Sequence, residues 1–196
     1  MKTLAELLKD EGQTERKYTL YCDMDGVLCD FDRRFLQKIK EVGWKHYSVK
    51  DITSAQDFED KYGKEEFWKF IDKTVGVGYW VGMDWTPSGP KLWNSIEKYK
   101  PILLTSPSRD NNSRLGKRLW VKDHIPGTPI VFKYSKDKYQ MATPTSILID
   151  DRMSNIEAWR EAGGIGIYHP TNTRNIDKVI KQVVDVYEGE SSEEGV

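Results

Sequence analysis

The fold expected for this chain follows from YTLYCDMDGV, residues 18–27. Its first half is an apolar run typical of a buried strand, and two carboxylates, Asp23 and Asp25, follow it directly. Gly26 comes next and lets the backbone turn tightly around whatever the carboxylates hold. In open α/β sheets, ligands bind beyond the carboxyl ends of the strands, so this stretch predicts both a strand and a site.

Four further apolar runs follow, separated by longer segments with helical patterning. The runs are ILLT (102–105), IVF (130–132), SILI (146–149) and GIGIY (164–168), and helices are predicted over 90–99, 112–123, 153–162 and 174–187. Strands that alternate with helices are typical of a parallel sheet joined by crossover helices. We therefore predict an α/β fold with a Rossmann-like parallel sheet.

A second acidic pair, Asp150 and Asp151, follows the SILI run. If both strands are central, four carboxylates meet at one edge of the sheet, where they repel one another unless a cation neutralises them. Oxygen ligands without histidine or thiolate favour Mg²⁺. The sequence therefore predicts a magnesium site, although Asp151 could also cap the helix that begins near Met153.

Hydroxyl and ammonium groups stand between the two acidic pairs. Thr105 and Ser106 follow the ILL run and are suited to holding phosphoryl oxygens. One lysine fixed beside the carboxylates would offset the charge of a nucleophile and a phosphate, and Lys133, Lys136 and Lys138 are the candidates.

The interval between the first two strands has a different composition. Within it, residues 30–89 contain four of the seven tryptophans and no clear buried strand, which indicates an inserted helical cap. The predicted organisation is an N-terminal extension (1–17), a core (18–29 and 90–187), the cap (30–89) and a disordered acidic tail (188–196).

The order of acid pair, hydroxyl, lysine and acid pair resembles the haloacid dehalogenase superfamily. Its four motifs match here as CDMDGV, ILLTS, a lysine in KDKYQMA, and ILIDD, over residues 18 to 169. Within that superfamily, DMDGVLCDFD and IDDRMSNIEAWREAGGIGIYH resemble the deoxyribonucleotidase branch, which are 5′-nucleotidases with a small helical cap.

The resemblance implies a phosphatase in which Asp23 is the nucleophile and forms an aspartyl-phosphate. Asp25 would be the general acid and base, which argues against dehalogenase chemistry because that reaction needs no acid there. Thr105 would bind the phosphoryl group, and Lys138 would be the motif lysine, ahead of Lys136 and Lys133. Mg²⁺ would be held by Asp23, the Asp25 backbone carbonyl and Asp150, with Asp151 beside them.

Substrate-binding candidates lie near these motifs. By resemblance, Phe31 matches an aromatic residue that faces the substrate, and Trp80 could stack a nucleobase. Ser106 and Arg109 belong to the turn after the second strand, and Arg109 could reach an anionic substrate. The rest of the basic run from Arg109 to Arg118 is predicted to be a solvated helix face.

Composition limits the remaining function classes. Acids and bases nearly cancel, 31 against 30, so no basic surface favours a stable nucleic-acid partner. No run is long enough to span a membrane and the start lacks a secretory core, so we expect a cytoplasmic protein. Cys22 and Cys29 are too few for a disulfide scaffold and are expected to be reduced and packed.

The sequence therefore predicts an enzyme that hydrolyses nucleoside 5′-monophosphates, deoxyribonucleotides first, with Mg²⁺ as cofactor. The alternatives are a phosphatase for a nucleic-acid 3′-phosphate or a sugar phosphate, and a phospho-accepting module without turnover. A small-molecule nucleotide is the expected partner, and the sequence leaves open whether the chain forms a homodimer.

Overall fold

The fold is seen in a computed structural model, which describes residues 17–171 and 176–189. A five-stranded parallel sheet lies at its centre, with the strand order β3-β2-β1-β4-β5. The strands are β1 (Thr19–Cys22), β2 (Ile102–Thr105), β3 (Ile130–Phe132), β4 (Ser146–Asp150) and β5 (Ile165–Tyr168). The predicted α/β fold with a Rossmann-like parallel sheet is confirmed.

Helices connect the strands and fill the interval before β2. They are α1 (Phe31–Glu41), α2 (Ala55–Tyr62), α3 (Lys64–Lys69), α4 (Val77–Val81), α5 (Gly89–Ile96), α6 (Asn111–His124), α7 (Met153–Glu161) and α8 (Asp177–Glu188). A π-helical turn covers Phe70–Val75, and short 3₁₀ segments cover Gly43–Lys45, Glu97–Tyr99 and Ser135–Met141. Local signals explain several ends: Ser54 and Asp57 form a capping box at the start of α2, and Gly163, with φ of +90°, follows α7.

Both faces of the sheet are covered, as parallel sheets require. Leu20, Leu103 and Ile147 point into the larger core, whereas Tyr21 and Leu148 point into a smaller core that Trp159 of α7 completes. This alternation follows from the period of two along a strand. The apolar runs are continuous in the sequence because neighbouring residues are buried on opposite faces.

Helices α1 to α4 lie between β1 and β2 in the chain and share an aromatic core. The Phe35 ring lies 5.3 Å from Phe58, 5.2 Å from Phe67 and 5.7 Å from Phe70, measured between ring centroids. All four rings are buried. The division of the chain into core and cap stays a prediction, and the predicted extension and tail fall almost wholly outside the described residues.

Cys22 and Cys29 are both free and buried, as expected. Within residues 17–171 and 176–189, no helix is both long and apolar enough to cross a membrane.

Candidate active site

The site begins where β1 and β4 end side by side. Cys22 pairs with Ile149, so the next residues, Asp23 and Asp150, reach the same edge of the sheet. The Asp23 backbone N–H donates to the Ile149 carbonyl at 2.9 Å and extends the pairing by one residue. Strands β2 and β3 lie on one side of β1, and β4 and β5 lie on its other side, so the strand order reverses between β1 and β4. Open α/β sheets bind ligands in the crevice at such a reversal.

Three carboxylates converge at this edge. Asp23, Asp150 and Asp151 each offer an oxygen, and these oxygens all lie within 4.8 Å of one another. Burial, followed by the charges of Asp23 and Asp150, raises the pKa of Asp151 to about 7. Burial and the Asp23 charge also raise the pKa of Asp150, against the opposing effect of Lys138. Such a cluster is stable in its ionised form only with positive charge beside it.

Lys138 supplies part of that charge. Its ammonium lies 2.7 Å from Asp150 Oδ2 and 3.0 Å from Asp23 Oδ2, and only 1 % of its side chain is exposed. Burial lowers the pKa of Lys138, but the charges and hydrogen bonds of Asp23 and Asp150 raise it by more, so the net shift is upward. Among the described contacts, none joins Lys133 or Lys136 to the carboxylates, so the structure brings Lys138 alone of the three candidates to the site.

Asn155, in the first turn of α7, orients Asp150 and was missed from the sequence. Its side-chain amide donates to both carboxylate oxygens of Asp150, at 2.9 and 3.0 Å, and its own oxygen accepts a bond from Ser135. The Arg152 backbone N–H donates to Asp150 as well. A polar residue in the helical turn after the acidic pair was the only available signal, and it is weak because such residues are common at helix starts.

The alternative role for Asp151, a helix cap, is wrong. The N-cap of α7 is Arg152, and no side chain caps the helix. Asp151 instead accepts a hydrogen bond from the Thr171 hydroxyl at 3.2 Å and faces Asp23 and Asp150.

A second buried lysine, Lys117, also enters the site. Its side chain is fully buried, and its ammonium donates to Asp25 Oδ2 at 2.6 Å, to Thr105 Oγ1 at 2.7 Å and to the Ser106 carbonyl at 2.9 Å. The prediction that the whole basic run is a solvated face is therefore wrong at this position. The spacing held a signal, because Ser113, Gly116, Lys117, Trp120 and Val121 recur at helical intervals and form the buried face of α6.

Asp25 stands apart from the three clustered carboxylates, because its side chain pairs with Lys117. Burial raises the pKa of the Asp25 carboxyl group. The Lys117 ammonium opposes this shift, and the charge of Asp23 adds to it. A carboxyl group with a raised pKa, two residues beyond Asp23, is suited to exchange protons during a reaction.

A cavity of about 360 Å³ opens onto the carboxylates and lies within the size range of small-molecule sites. Polar groups in its wall include Asp23, Asp25, Ser106, Lys138, Asp151 and Asn155, and aromatic groups include Phe31, Phe67, Trp68 and Trp80. The cavity therefore contains both of the predicted aromatic candidates and Ser106. Arg109 is exposed and is not part of the wall, so the structure does not bring this predicted substrate ligand to the site.

The donor set fits a divalent cation. Four carboxylates, those of Asp23, Asp25, Asp150 and Asp151, face the two ammonium groups of Lys117 and Lys138. Two negative charges are left over when all four are ionised, and one when Asp25 carries a proton, so a cation would balance the site in either state. Carboxylate oxygens, with no histidine or cysteine in the group of three, are the ligands this ion prefers.

The structure combines a five-stranded parallel sheet with an aspartate pair after β1, hydroxyl groups at the end of β2, a buried lysine and a second aspartate pair at the end of β4. This is the arrangement of the haloacid dehalogenase superfamily of hydrolases, here of the phosphatase type. A family model described as 5′ nucleotidase, deoxy (Pyrimidine), cytosolic type C protein matches residues 17–187. The chain belongs to this family.

Solved structures show the same fold. A structure described as a predicted phosphatase from Clostridium acetobutylicum is 12 % identical, with a TM-score of 0.55 over 86 % of this chain and 98 % of that chain. An L-2-haloacid dehalogenase is also 12 % identical, with a TM-score of 0.50 over 79 % of this chain and 85 % of that chain. No curated protein matched the sequence.

Proposed function

We propose that this chain is a magnesium-dependent phosphomonoesterase that hydrolyses nucleoside 5′-monophosphates, with deoxyribonucleotides preferred. The observation that carries the proposal is that one cavity joins the carboxylate and lysine cluster to an aromatic wall of Phe31, Phe67, Trp68 and Trp80. A phosphate group needs the first, and a nucleobase can stack on the second. The description of the matching family supports the same substrate class.

In the proposed reaction, a carboxylate oxygen of Asp23 attacks phosphorus, and the bond from phosphorus to the 5′ oxygen breaks. Asp25 gives its proton to the departing oxygen, so the nucleoside leaves as a neutral alcohol. Water then attacks the phosphorus of the aspartyl-phosphate and loses a proton to Asp25. Inorganic phosphate is released and both carboxyl groups return to their starting states.

The surrounding groups have separate tasks in this scheme. Two of the three ammonium protons of Lys138 are used by Asp23 and Asp150, and the third has no partner among the described residues, so it can bond to a phosphoryl oxygen. The hydroxyl groups of Thr105 and Ser106 would hold the same group from the end of β2. Asp23, Asp150 and Asp151 would bind Mg²⁺, which supplies positive charge to the phosphoryl oxygens.

Phosphate release tests the chemistry. Ribo- and deoxyribonucleoside 5′- and 3′-monophosphates and sugar phosphates are assayed with Mg²⁺ and with EDTA, on wild type, Asp23→Asn and the control Asp123→Asn, whose residue is exposed on α6. We expect turnover of 5′-nucleotides that needs Mg²⁺, is lost in Asp23→Asn and is retained in the control. Turnover of sugar phosphates alone would overturn the nucleotide assignment, and capture of a single phosphate without turnover would favour a phospho-accepting module.

Trp68 tests the nucleobase part of the proposal, because it lines the cavity and is only half-buried. Loss of a stacked aromatic ring costs about 1–3 kcal/mol per base, which corresponds to a KM increase of about 5- to 150-fold. We expect Trp68→Ala to raise the KM for a nucleotide in this range and to leave that for p-nitrophenyl phosphate nearly unchanged. Trp44→Ala is the control, because Trp44 is 60 % exposed and does not line the cavity. Equal effects on both substrates would contradict the stacking role.

A further inference from the structure

The two buried lysines of the site differ in how their protons are used. An ammonium group has three donors. Lys117 directs them to three protein oxygens, those of Asp25, Thr105 and the Ser106 carbonyl, all within 2.9 Å. Lys138 bonds to two described acceptors and keeps one donor for a ligand. Lys117 therefore has no proton left for a phosphate.

The Asp25 side chain depends on Lys117 for its position. Its Oδ1 is buried and has no hydrogen-bond partner among the described residues, and its Oδ2 bonds to Lys117. The side chain nevertheless keeps 26 % of its surface exposed and lines the cavity. One hydrogen bond thus holds a carboxylate that faces the substrate space.

The same ammonium is anchored to the loop after β2. Thr105 and Ser106 follow one another at the end of that strand, and Lys117 bonds to one oxygen of each. A single buried cation therefore links the carboxylate that follows β1 to the residues proposed to hold the phosphoryl group.

We propose that Lys117 is a positioning residue, which fixes the Asp25 carboxylate relative to Thr105 and Ser106 so that Asp25 meets the oxygen that leaves phosphorus. This inference rests on the proposed phosphatase function and adds a residue to it. A misplaced acid loses much of its effect, because proton transfer needs a donor within hydrogen-bond reach of the leaving atom.

The packing of α6 shows how Lys117 reaches this place. Gly116 lets α6 approach α4, since a Cβ there would lie 2.4 Å from the Trp80 Cβ. The Lys117 ammonium then lies 5.1 Å from the centre of the Trp80 ring, a cation–π distance. Trp80 thus both lines the cavity and contacts Lys117.

The test compares substrates that differ in their need for an acid. A nucleoside leaves as a poor alkoxide and needs protonation, whereas p-nitrophenolate is stable without it. The quantity measured is kcat/KM with Mg²⁺, which covers the reaction up to the breaking of the phosphorus–oxygen bond and excludes the later hydrolysis of the aspartyl-phosphate. In Lys117→Met we expect a loss of about 100-fold for the nucleotide, at the lower end of what a general acid contributes, and a loss of less than about 10-fold for p-nitrophenyl phosphate.

A second pair of variants separates positioning from general damage. Asp25→Asn removes the acid, so adding Lys117→Met to it should leave the ratio of the two kcat/KM values unchanged. The double variant also removes both charges of the pair, which avoids an unpaired buried carboxylate if Lys117→Met alone fails to fold.

The outcomes are distinct. A selective loss in Lys117→Met, absent in the Asp25→Asn background, supports the inference. Equal losses on both substrates, or a further change of the ratio in the double variant, overturn it. If wild type turns over neither substrate, the proposed function fails as well.

Discussion

Replacing Lys138 by methionine should destabilise the metal-free protein strongly. The Lys138 side chain is 1 % exposed, and its ammonium contacts the carboxylates of Asp23 and Asp150, whose side chains are 9 % and 0 % exposed. Methionine has a similar length but no charge, so the two buried carboxylates would lose their shared cation. The substitution changes charge while keeping most of the packing.

The size of the effect follows from this burial. Breaking a buried ion pair by removing one partner costs about 3–5 kcal/mol, because the remaining charge is left without compensation. In a chain of 196 residues, each kcal/mol lowers Tm by about 2–4 °C. We therefore expect Lys138→Met to melt about 6–20 °C below wild type in EDTA.

Thermal unfolding followed by circular dichroism, with EDTA and then with Mg²⁺, measures this difference. Lys136→Met is the matched control, since Lys136 is exposed in the same 3₁₀ segment, and its Tm should stay within about 3 °C of wild type. Mg²⁺ should raise the Tm of Lys138→Met more than that of wild type, because the ion then supplies the missing positive charge. Equal melting of Lys138→Met and Lys136→Met in EDTA would refute the reasoning.

Three further predictions concern the carboxylates and their supports. The pKa of Asp151 is raised to about 7, so between about pH 4 and pH 7 the folded protein binds a proton there that the unfolded chain has released. The free energy of unfolding of the metal-free protein should therefore fall as the pH rises through this range. Urea unfolding in EDTA should show a smaller fall for Asp151→Asn than for wild type. Asn155→Ala should weaken Mg²⁺ binding about 10- to 100-fold by calorimetry, since its amide orients both oxygens of Asp150, and unchanged affinity would contradict this role. Gly26→Ala should abolish phosphatase activity, because its Cβ would lie 2.1 Å from Asp151 Oδ2, whereas Gly127→Ala, at a similar φ of +84° with nothing within 4 Å, should strain the backbone but keep the activity.

The strands and the main carboxylates could be predicted because their signals are local. Strands β2 and β3 match the predicted runs residue for residue, and α6 extends the predicted helix by one residue at each end. A strand buried on both faces must be apolar throughout, and polar residues after it mark the sheet edge where ligands bind. The same reasoning predicted that Asp23, Asp25, Asp150 and Asp151 meet at one edge of the sheet; three of them do cluster, whereas the Asp25 side chain pairs with Lys117.

The supports of the site were decided by tertiary structure. Lys117 lies 92 residues from its partner Asp25, and its burial depends on how closely α6 approaches Trp80. Arg109 lies in the loop between β2 and α6 and is exposed to solvent, although its position near the strand end and its charge made it a more obvious substrate ligand than Lys117.

The sheet and the acidic pairs that end its central strands could thus be predicted from the chain alone, because strand periodicity and strand-end placement are read from neighbouring residues. The class of chemistry followed from the resemblance of the four motifs to the haloacid dehalogenase superfamily. The resemblance already ranked Lys138 first among the lysines, but the second buried cation, Lys117, was revealed by the three-dimensional packing alone. A lysine is placed by where its helix packs and by which carboxylates lie within reach, and neither is encoded within a few residues of it.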